Sequence, residues 1–101
     1  MNMEITRTKN DGIEEMTLTG RLDTVTSTKL QAALMEAIEA ADRIALDFAA
    51  IDYVSSAGLR VLLQGQKAAQ KLGKALIIQN VSSEVMEVFE VTGFSGILTI
   101  I

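Results

Sequence analysis

The chain has 101 residues, of which 49% are hydrophobic, and this fits one domain with a modest core. It contains no His and no Cys, which excludes imidazole bases, thiol nucleophiles, disulfides and the usual zinc sites. The formal net charge of −4 and the absence of a Lys/Arg cluster argue against nucleic-acid binding. No stretch is apolar for the length of a membrane span, and residues 1–4 do not begin a signal peptide, so we expect a cytoplasmic protein.

The first two predicted elements form a β-hairpin. Residues 3–8 and 13–19 alternate between apolar and polar side chains, and Asn10-Asp11-Gly12 between them is a typical turn sequence. Gly20 is expected to end the second strand and to begin a loop over residues 20–23. We therefore predict an antiparallel hairpin that can lie at the edge of a sheet.

Helices and short apolar strands alternate in the rest of the chain. In chain order, the remaining predicted elements are a helix over 30–41, a strand over 43–48, a helix from Ser55-Ser56 to about 72, a strand over 75–78, a helix after Ser82-Ser83, and a strand or strand end over 97–101. This β-β-α-β-α-β-α-β order calls for parallel neighbouring strands after the hairpin. We expect one α/β domain over residues 1–101, with a mixed β-sheet, the hairpin at its N-terminus and helices packed on one side.

Two hydroxyl groups stand where a strand is predicted to give way to a helix. Ser55 and Ser56 come just before an apolar series with helical spacing, a place where serine commonly caps the first turn. Ala57 and Gly58 are small and leave these hydroxyls uncrowded. The start of a helix is also electropositive, so a phosphoryl group is stabilised there. A helix cap alone explains the same residues, and spacing does not decide between the two interpretations.

Patterns typical of enzymes find little support. Asp23, Asp47 and Asp52 lie near the ends of predicted elements, but their spacing is not typical of a metal site or a catalytic carboxylate pair. The glycines do not form a phosphate-binding loop, and Ser56 has neither a histidine nor the G-x-S-x-G context of a serine hydrolase. Ser56 is better suited to receive a phosphoryl group than to catalyse its transfer. We therefore expect neither enzyme activity nor a cofactor.

Several segments together resemble the STAS family, which comprises bacterial anti-sigma factor antagonists and related domains of sulfate transporters. The segments are the hairpin, Gly20-Arg21-Leu22-Asp23, Asp52-Tyr53-Val54-Ser55-Ser56-Ala57-Gly58-Leu59 and Phe89-Glu90-Val91-Thr92-Gly93-Phe94. The resemblance covers essentially the whole chain. In the family, a kinase phosphorylates the serine that precedes a small residue, Gly and Leu, and this serine corresponds to Ser56. The chain departs from the family pattern at Ser55, where Asp is usual, and at Arg60, where Gly is common; Ser55 is the second choice of phosphorylation site.

The resemblance implies a partner-switching cycle that regulates sigma-factor-dependent transcription. The unphosphorylated protein binds an anti-sigma factor that is also a serine kinase, phosphorylation of Ser56 releases it, and a serine phosphatase restores binding. The partner-binding residues that this implies are Asp23, Thr24, Tyr53, Val54, Ser55, Ser56, Ala57, Gly58 and Arg60. A monomer and a weak homodimer both fit the sequence. The alternative is an accessory or structural STAS subunit of a transporter or signalling assembly, without a phosphorylation switch.

Overall fold

The structure, a computed structural model, describes residues 3–101, within which the regular elements follow the order β-β-α-β-α-β-α. They are β1 (Met3–Asn10), β2 (Ile13–Leu22), α1 (Thr26–Ala40), β3 (Arg43–Val54), α2 (Ser56–Lys71), β4 (Ala75–Gln79) and α3 (Ser83–Val91), followed by a 3-10 helix at Phe94–Gly96. The strand order in the sheet is β1-β2-β3-β4. β1 and β2 are antiparallel, whereas β2, β3 and β4 are parallel. The predicted mixed sheet with an N-terminal hairpin at one edge is confirmed.

The hairpin turn is built by two residues with left-handed backbone angles. Asp11 has φ 53° and Gly12 has φ 78°, and Asn10 pairs with Ile13 on either side of them. Positive φ at both central residues is the geometry that matches the twist of the flanking strands, and Asp-Gly is among the sequences that adopt it most readily. The turn therefore fixes the register of the whole hairpin.

The hydrophobic core lies on one face of the sheet, where the helices cover it. One buried cluster contains sheet residues and residues of each α-helix, among them Met16, Leu34, Leu46, Leu62 and Phe89. The rings of Phe48 on β3 and Phe89 on α3 are 6.3 Å apart. On the opposite face, β2 side chains such as Glu15 and Thr17 are exposed. This confirms the prediction that the helices pack on one side.

The strand predicted over residues 97–101 is reduced, within the described chain, to one parallel bridge between Ile78 and Ile100. Backbone hydrogen bonds of 2.8 and 3.0 Å support this bridge. The preceding 3-10 helix leaves Ile97 with helical backbone angles, so only the residues after it can be extended. Leu98 is 5% exposed and packs into the core. The segment is therefore a strand end and not a full eighth element.

The strands β2 and β3 extend beyond their predicted ends. Residues 20–22, predicted as a loop, belong to β2, and β3 continues to Val54. Two shifts of register interrupt the pairing of these strands, and the second falls between Gly20 and Arg21. Gly20 has φ 118°, a conformation that favours glycine. Because such an irregularity changes which side chains face the core, it shapes the surface at the carboxyl ends of β2 and β3.

Candidate functional site

The two serines at the start of α2 have different roles. Ser55 is the N-cap residue, and its hydroxyl accepts a hydrogen bond of 3.2 Å from the backbone N–H of Gly58. Ser56 is the first helical residue and is exposed. Its hydroxyl takes part in none of the side-chain hydrogen bonds found within residues 3–101. The sequence did not decide which serine caps the helix. In the structure Ser55 is the cap and Ser56 is the exposed residue.

Close packing against Leu22 positions the start of α2. The backbone N–H of Ser55 donates to the carbonyl oxygen of Leu22 at 2.8 Å. A Cβ atom on Gly58 would stand 2.6 Å from Cγ of Leu22 and 3.1 Å from its carbonyl oxygen. Leu22 is completely buried, and its carbonyl oxygen belongs to the backbone of β2, so neither atom yields easily. Glycine is therefore required at position 58 for packing, a role that the sequence alone did not reveal.

Asp23 and Thr26 cap the first turn of α1 reciprocally. The Asp23 carboxylate accepts hydrogen bonds from the backbone N–H groups of Thr26 at 2.9 Å and Val25 at 3.0 Å, and the Thr26 hydroxyl accepts one of 2.8 Å from the N–H of Asp23. This arrangement follows the capping-box pattern. The hydrogen bond from the Thr26 N–H contributes most to lowering the pKa of Asp23, so its carboxylate is charged at neutral pH. Asp23 thus fixes the loop that carries the exposed Thr24.

An extra residue near the end of β3 brings Tyr53 to the surface. Ile51 is buried, and regular alternation would turn Tyr53 inward as well. Because the register shifts between them, Val54 takes the inward position and Tyr53 is 42% exposed. The guanidinium carbon of Arg21 lies 4.2 Å from the centre of the Tyr53 ring, and Arg21 Nε lies 4.0 Å from a carboxylate oxygen of Asp23. Arg21 therefore connects Tyr53 to the loop before α1.

Most of the predicted partner-binding residues are accessible. Thr24, Tyr53, Ser56 and Arg60 are exposed, and Asp23, Ser55 and Ala57 are partly so. They lie at or just after the carboxyl ends of β2 and β3, which are neighbouring parallel strands, so they lie at the same edge of the sheet. Val54 and Gly58 are less accessible than expected, since Val54 is 6% exposed in the core and Gly58 is packed against Leu22. Neither offers a side chain to a partner.

Sequence reasoning missed two residues at this edge, the partly exposed Arg21 and the exposed Val25. Val25 is 76% exposed and directly precedes the first residue of α1. Arg21 stands opposite Tyr53 in the register of β2 and β3. The glycine before Arg21 is a sequence signal for an irregular strand end that could have been used, whereas a lone valine among hydroxyl residues carries none. We call Arg21, Thr24, Val25, Tyr53, Ser56 and Arg60 the Ser56 surface.

The part of the chain that the structure describes contains neither a candidate membrane span nor a candidate metal site. No helix there is long and apolar enough to cross a membrane, and no group of three or more His, Cys, Asp or Glu side chains could hold a metal ion. Asp47 lies instead on the uncovered side of the sheet. Its carboxylate accepts hydrogen bonds from the N–H of Ala49 at 2.9 Å and from Asn80 Nδ2 at 3.1 Å.

A mixed sheet covered on one face, with an exposed serine opening its second helix, defines a small α/β domain of the STAS type. The chain belongs to the STAS family, because the family model described as "Mlab, STAS domain" matches residues 5–99. The resemblance inferred from the sequence is thereby confirmed.

Relatives and solved structures agree with this assignment. BtrV of Bordetella bronchiseptica, whose name places it among anti-sigma factor antagonists, is 33% identical over 99 residues, which cover 97% of this chain and 85% of BtrV. The crystal structure of an anti-sigma factor antagonist from Mycobacterium paratuberculosis has a TM-score of 0.87 at 17% identity, covering 98% of this chain and 85% of that one. The phosphorylated form of the Bacillus cell fate determinant SpoIIAA has a TM-score of 0.76 at 19% identity, covering 97% and 91%. The two structures confirm the fold.

Proposed function

We propose that the protein is an anti-sigma factor antagonist that binds an anti-sigma factor kinase until that kinase phosphorylates Ser56. Relatives such as BtrV carry the name of this function. The observation that carries the proposal is the exposed hydroxyl of Ser56 at the start of α2, which the cap provided by Ser55 leaves free. A serine phosphatase completes the cycle by removing the phosphoryl group.

The geometry favours Ser56 over Ser55 as the phosphorylated residue. The Ser55 hydroxyl accepts a hydrogen bond from Gly58, and the residue is only partly exposed. Modifying it would disturb the start of the helix. A phosphoryl group on Ser56 would extend into solvent from the first turn, where the positive end of the helix dipole stabilises it. The domain can therefore carry the modification without refolding.

The same phosphoryl group weakens binding at the Ser56 surface. It adds about −1.5 to −2 charges and three acceptor oxygens. A partner surface that fits the unmodified serine would meet added bulk and an unpaired charge. Together these weaken the binding free energy by several kcal/mol. A nearly complete reversal of a two-state equilibrium needs about 5.5 kcal/mol of differential binding. One phosphorylation at the centre of the interface is of the right order for such a switch.

The test is a labelling and binding experiment with the cognate anti-sigma factor kinase and ATP. We expect wild type to be labelled on Ser56 and released. Ser56→Ala should stay bound and unlabelled, and Ser56→Asp should bind weakly. The matched control is Ser83→Ala, which alters an exposed first-turn serine on α3 and should behave as wild type. Labelling of Ser55 alone contradicts the site, and equal binding by Ser56→Asp and wild type supports the accessory-subunit alternative.

A further inference from the structure

Arg60 stands one helical turn after Ser56 on α2. The two residues are four positions apart and both are exposed. Side chains at this spacing lie on the same face of a helix, and they lean toward its N-terminus, which directs Arg60 toward Ser56. Among the salt bridges found within residues 3–101, none involves Arg60, and the first turn of α2 has no acidic residue. A long cationic side chain without a salt bridge in the described residues thus stands one turn from Ser56 on the same helix face.

We propose that Arg60 forms an intramolecular salt bridge with the phosphoryl group of phosphorylated Ser56. This inference rests on the proposed phosphorylation of that serine. A guanidinium group donates two parallel N–H groups to phosphate oxygens and binds them more strongly than neutral hydrogen bonds do. The salt bridge stabilises the doubly charged phosphoryl group within the domain. It also removes one exposed cation from the Ser56 surface at the moment of phosphorylation.

The start of α3 gives a contrasting case in the same fold. Ser82 caps α3 through a 3.2 Å hydrogen bond, and Ser83 is the exposed first helical residue, as in α2. One turn further along stands Glu87, and the Ser83 hydroxyl already donates to Glu84 at 2.6 Å. A phosphoryl group on Ser83 would meet two carboxylates, which repel it. The capping geometry is the same at both helices, and the charge one turn later distinguishes them.

The other charged groups around Ser56 do not take the place of Arg60. Arg21, on β2, is held over the Tyr53 ring and beside Asp23. Asp23 on the loop before α1 and Asp52 on β3 are negative, so both oppose an added phosphoryl group. Arg60 is therefore the cation whose position on α2 suits the pairing.

The experiment uses phosphoserine incorporated at position 56 during translation, so that no kinase is needed. Phosphorus NMR then follows the second ionisation of the phosphoryl group with pH. Because a neighbouring cation favours the dianion, Arg60→Gln should raise the titration midpoint by about 0.3 of a pH unit. Arg60→Lys keeps the charge and should retain most of the wild-type midpoint. The difference between Arg60→Gln and wild type should disappear in about 1 M salt.

The matched control places phosphoserine at position 83 and compares Glu87 with Glu87→Gln. Removing this carboxylate should lower the titration midpoint, which shows that the method detects a charge one turn away. A midpoint unchanged by Arg60→Gln overturns the salt bridge. That result would leave the proposed switch standing, since no kinase takes part. Failure of the kinase to label Ser56 would refute the switch but not alter these midpoints.

Discussion

At the scale of single residues, Ser55 and Ser56 have different roles because the backbone changes from extended to helical between them. Ser55 has the extended backbone of an N-cap residue (φ −86°, ψ 171°), which directs its hydroxyl at the N–H groups of the first turn. The next residue is already helical, so its hydroxyl points away from them. From the sequence, either serine could be the cap. The position of the cap depends on where β3 ends, and the register shift in the pairing of β2 with β3 moves that end.

The stability of Ser55 and Ser56 variants should differ accordingly. Ser55→Ala removes the cap hydrogen bond to Gly58 and should lower the free energy of unfolding by about 1 kcal/mol. Ser56→Ala removes an exposed hydroxyl and should change it by less than about 0.5 kcal/mol. Urea denaturation of the two variants and wild type measures both effects. A larger loss in Ser56→Ala would show that the capping assignment is wrong.

The capping carboxylate of Asp23 should make stability depend on pH. Its hydrogen bonds, with that from Thr26 first, hold its pKa below the usual value, so folding favours the charged form. This contribution is fully present above the unfolded-state pKa of about 3.9 and is lost as the pH falls through the lower folded-state value. Wild type should therefore exceed Asp23→Asn in stability at about pH 6 and lose this advantage as the pH falls below the unfolded-state pKa.

Thermal unfolding of both proteins at several pH values measures this difference. Asp52→Asn is the matched control, because Asp52 is exposed and accepts none of the side-chain hydrogen bonds found in residues 3–101. A stability difference between wild type and Asp23→Asn that stays constant with pH would contradict the capping role.

At the scale of helices and strands, the sequence predicted every element that keeps a regular period. The hairpin, α1 and α2 follow from alternation and from apolar residues three and four positions apart. The ends of β2 and β3 did not follow, since the irregularities at Thr17 and Gly20 break the period on which such predictions depend. A strand or strand end over residues 97–101 was predicted, but its reduction to one bridge at Ile100 depends on how the 3-10 helix before it ends, which the sequence does not show.

Glycine at position 58 should be essential for the close packing of α2 against Leu22. In Gly58→Ala the added methyl group meets Leu22 at 2.6 Å, a contact that the buried side chain cannot relieve. We expect a net loss of about 1 to 2 kcal/mol in unfolding free energy, because overpacking outweighs the gain in helix propensity. Gly96→Ala is the control, since no atom lies within 4 Å of its added Cβ. Equal stability of the two variants in urea would contradict the tight contact.

At the scale of the whole molecule, long-range ion pairs attach the edge strand β1 to the rest of the domain. Arg7 on β1 binds Glu14 on β2 through Nε, and its Nη1 lies 2.6 Å from Glu36 on α1. Glu14 is 3% exposed and faces the core side of the sheet. These contacts, with that to Glu14 first, raise the pKa of Arg7. The sequence could not predict them, because they join residues that the topology brings together.

Removing the Arg7 charge should destabilise the domain. Arg7→Gln leaves the buried carboxylate of Glu14 without its cation, and such a loss costs about 2 kcal/mol for a pair that is still partly exposed on the arginine side. Arg43→Gln, at an exposed arginine of β3, should cost less than about 0.5 kcal/mol. Guanidinium denaturation compares the variants, and hydrogen exchange should show β1 opening first in Arg7→Gln. Equal stability would mean that Glu14 is satisfied without Arg7.

Because Ser55 provides the cap of α2, the side chain at position 56 can be modified chemically without removing that cap. The chain has no cysteine, so Ser56→Cys would introduce a unique thiol on an accessible first-turn residue. A bulky fluorophore attached there should block partner binding, as the phosphoryl group does, while the Ser55 cap and the helix start stay intact. Such a conjugate would be an uncharged mimic of the released state and would separate the effect of bulk from that of charge.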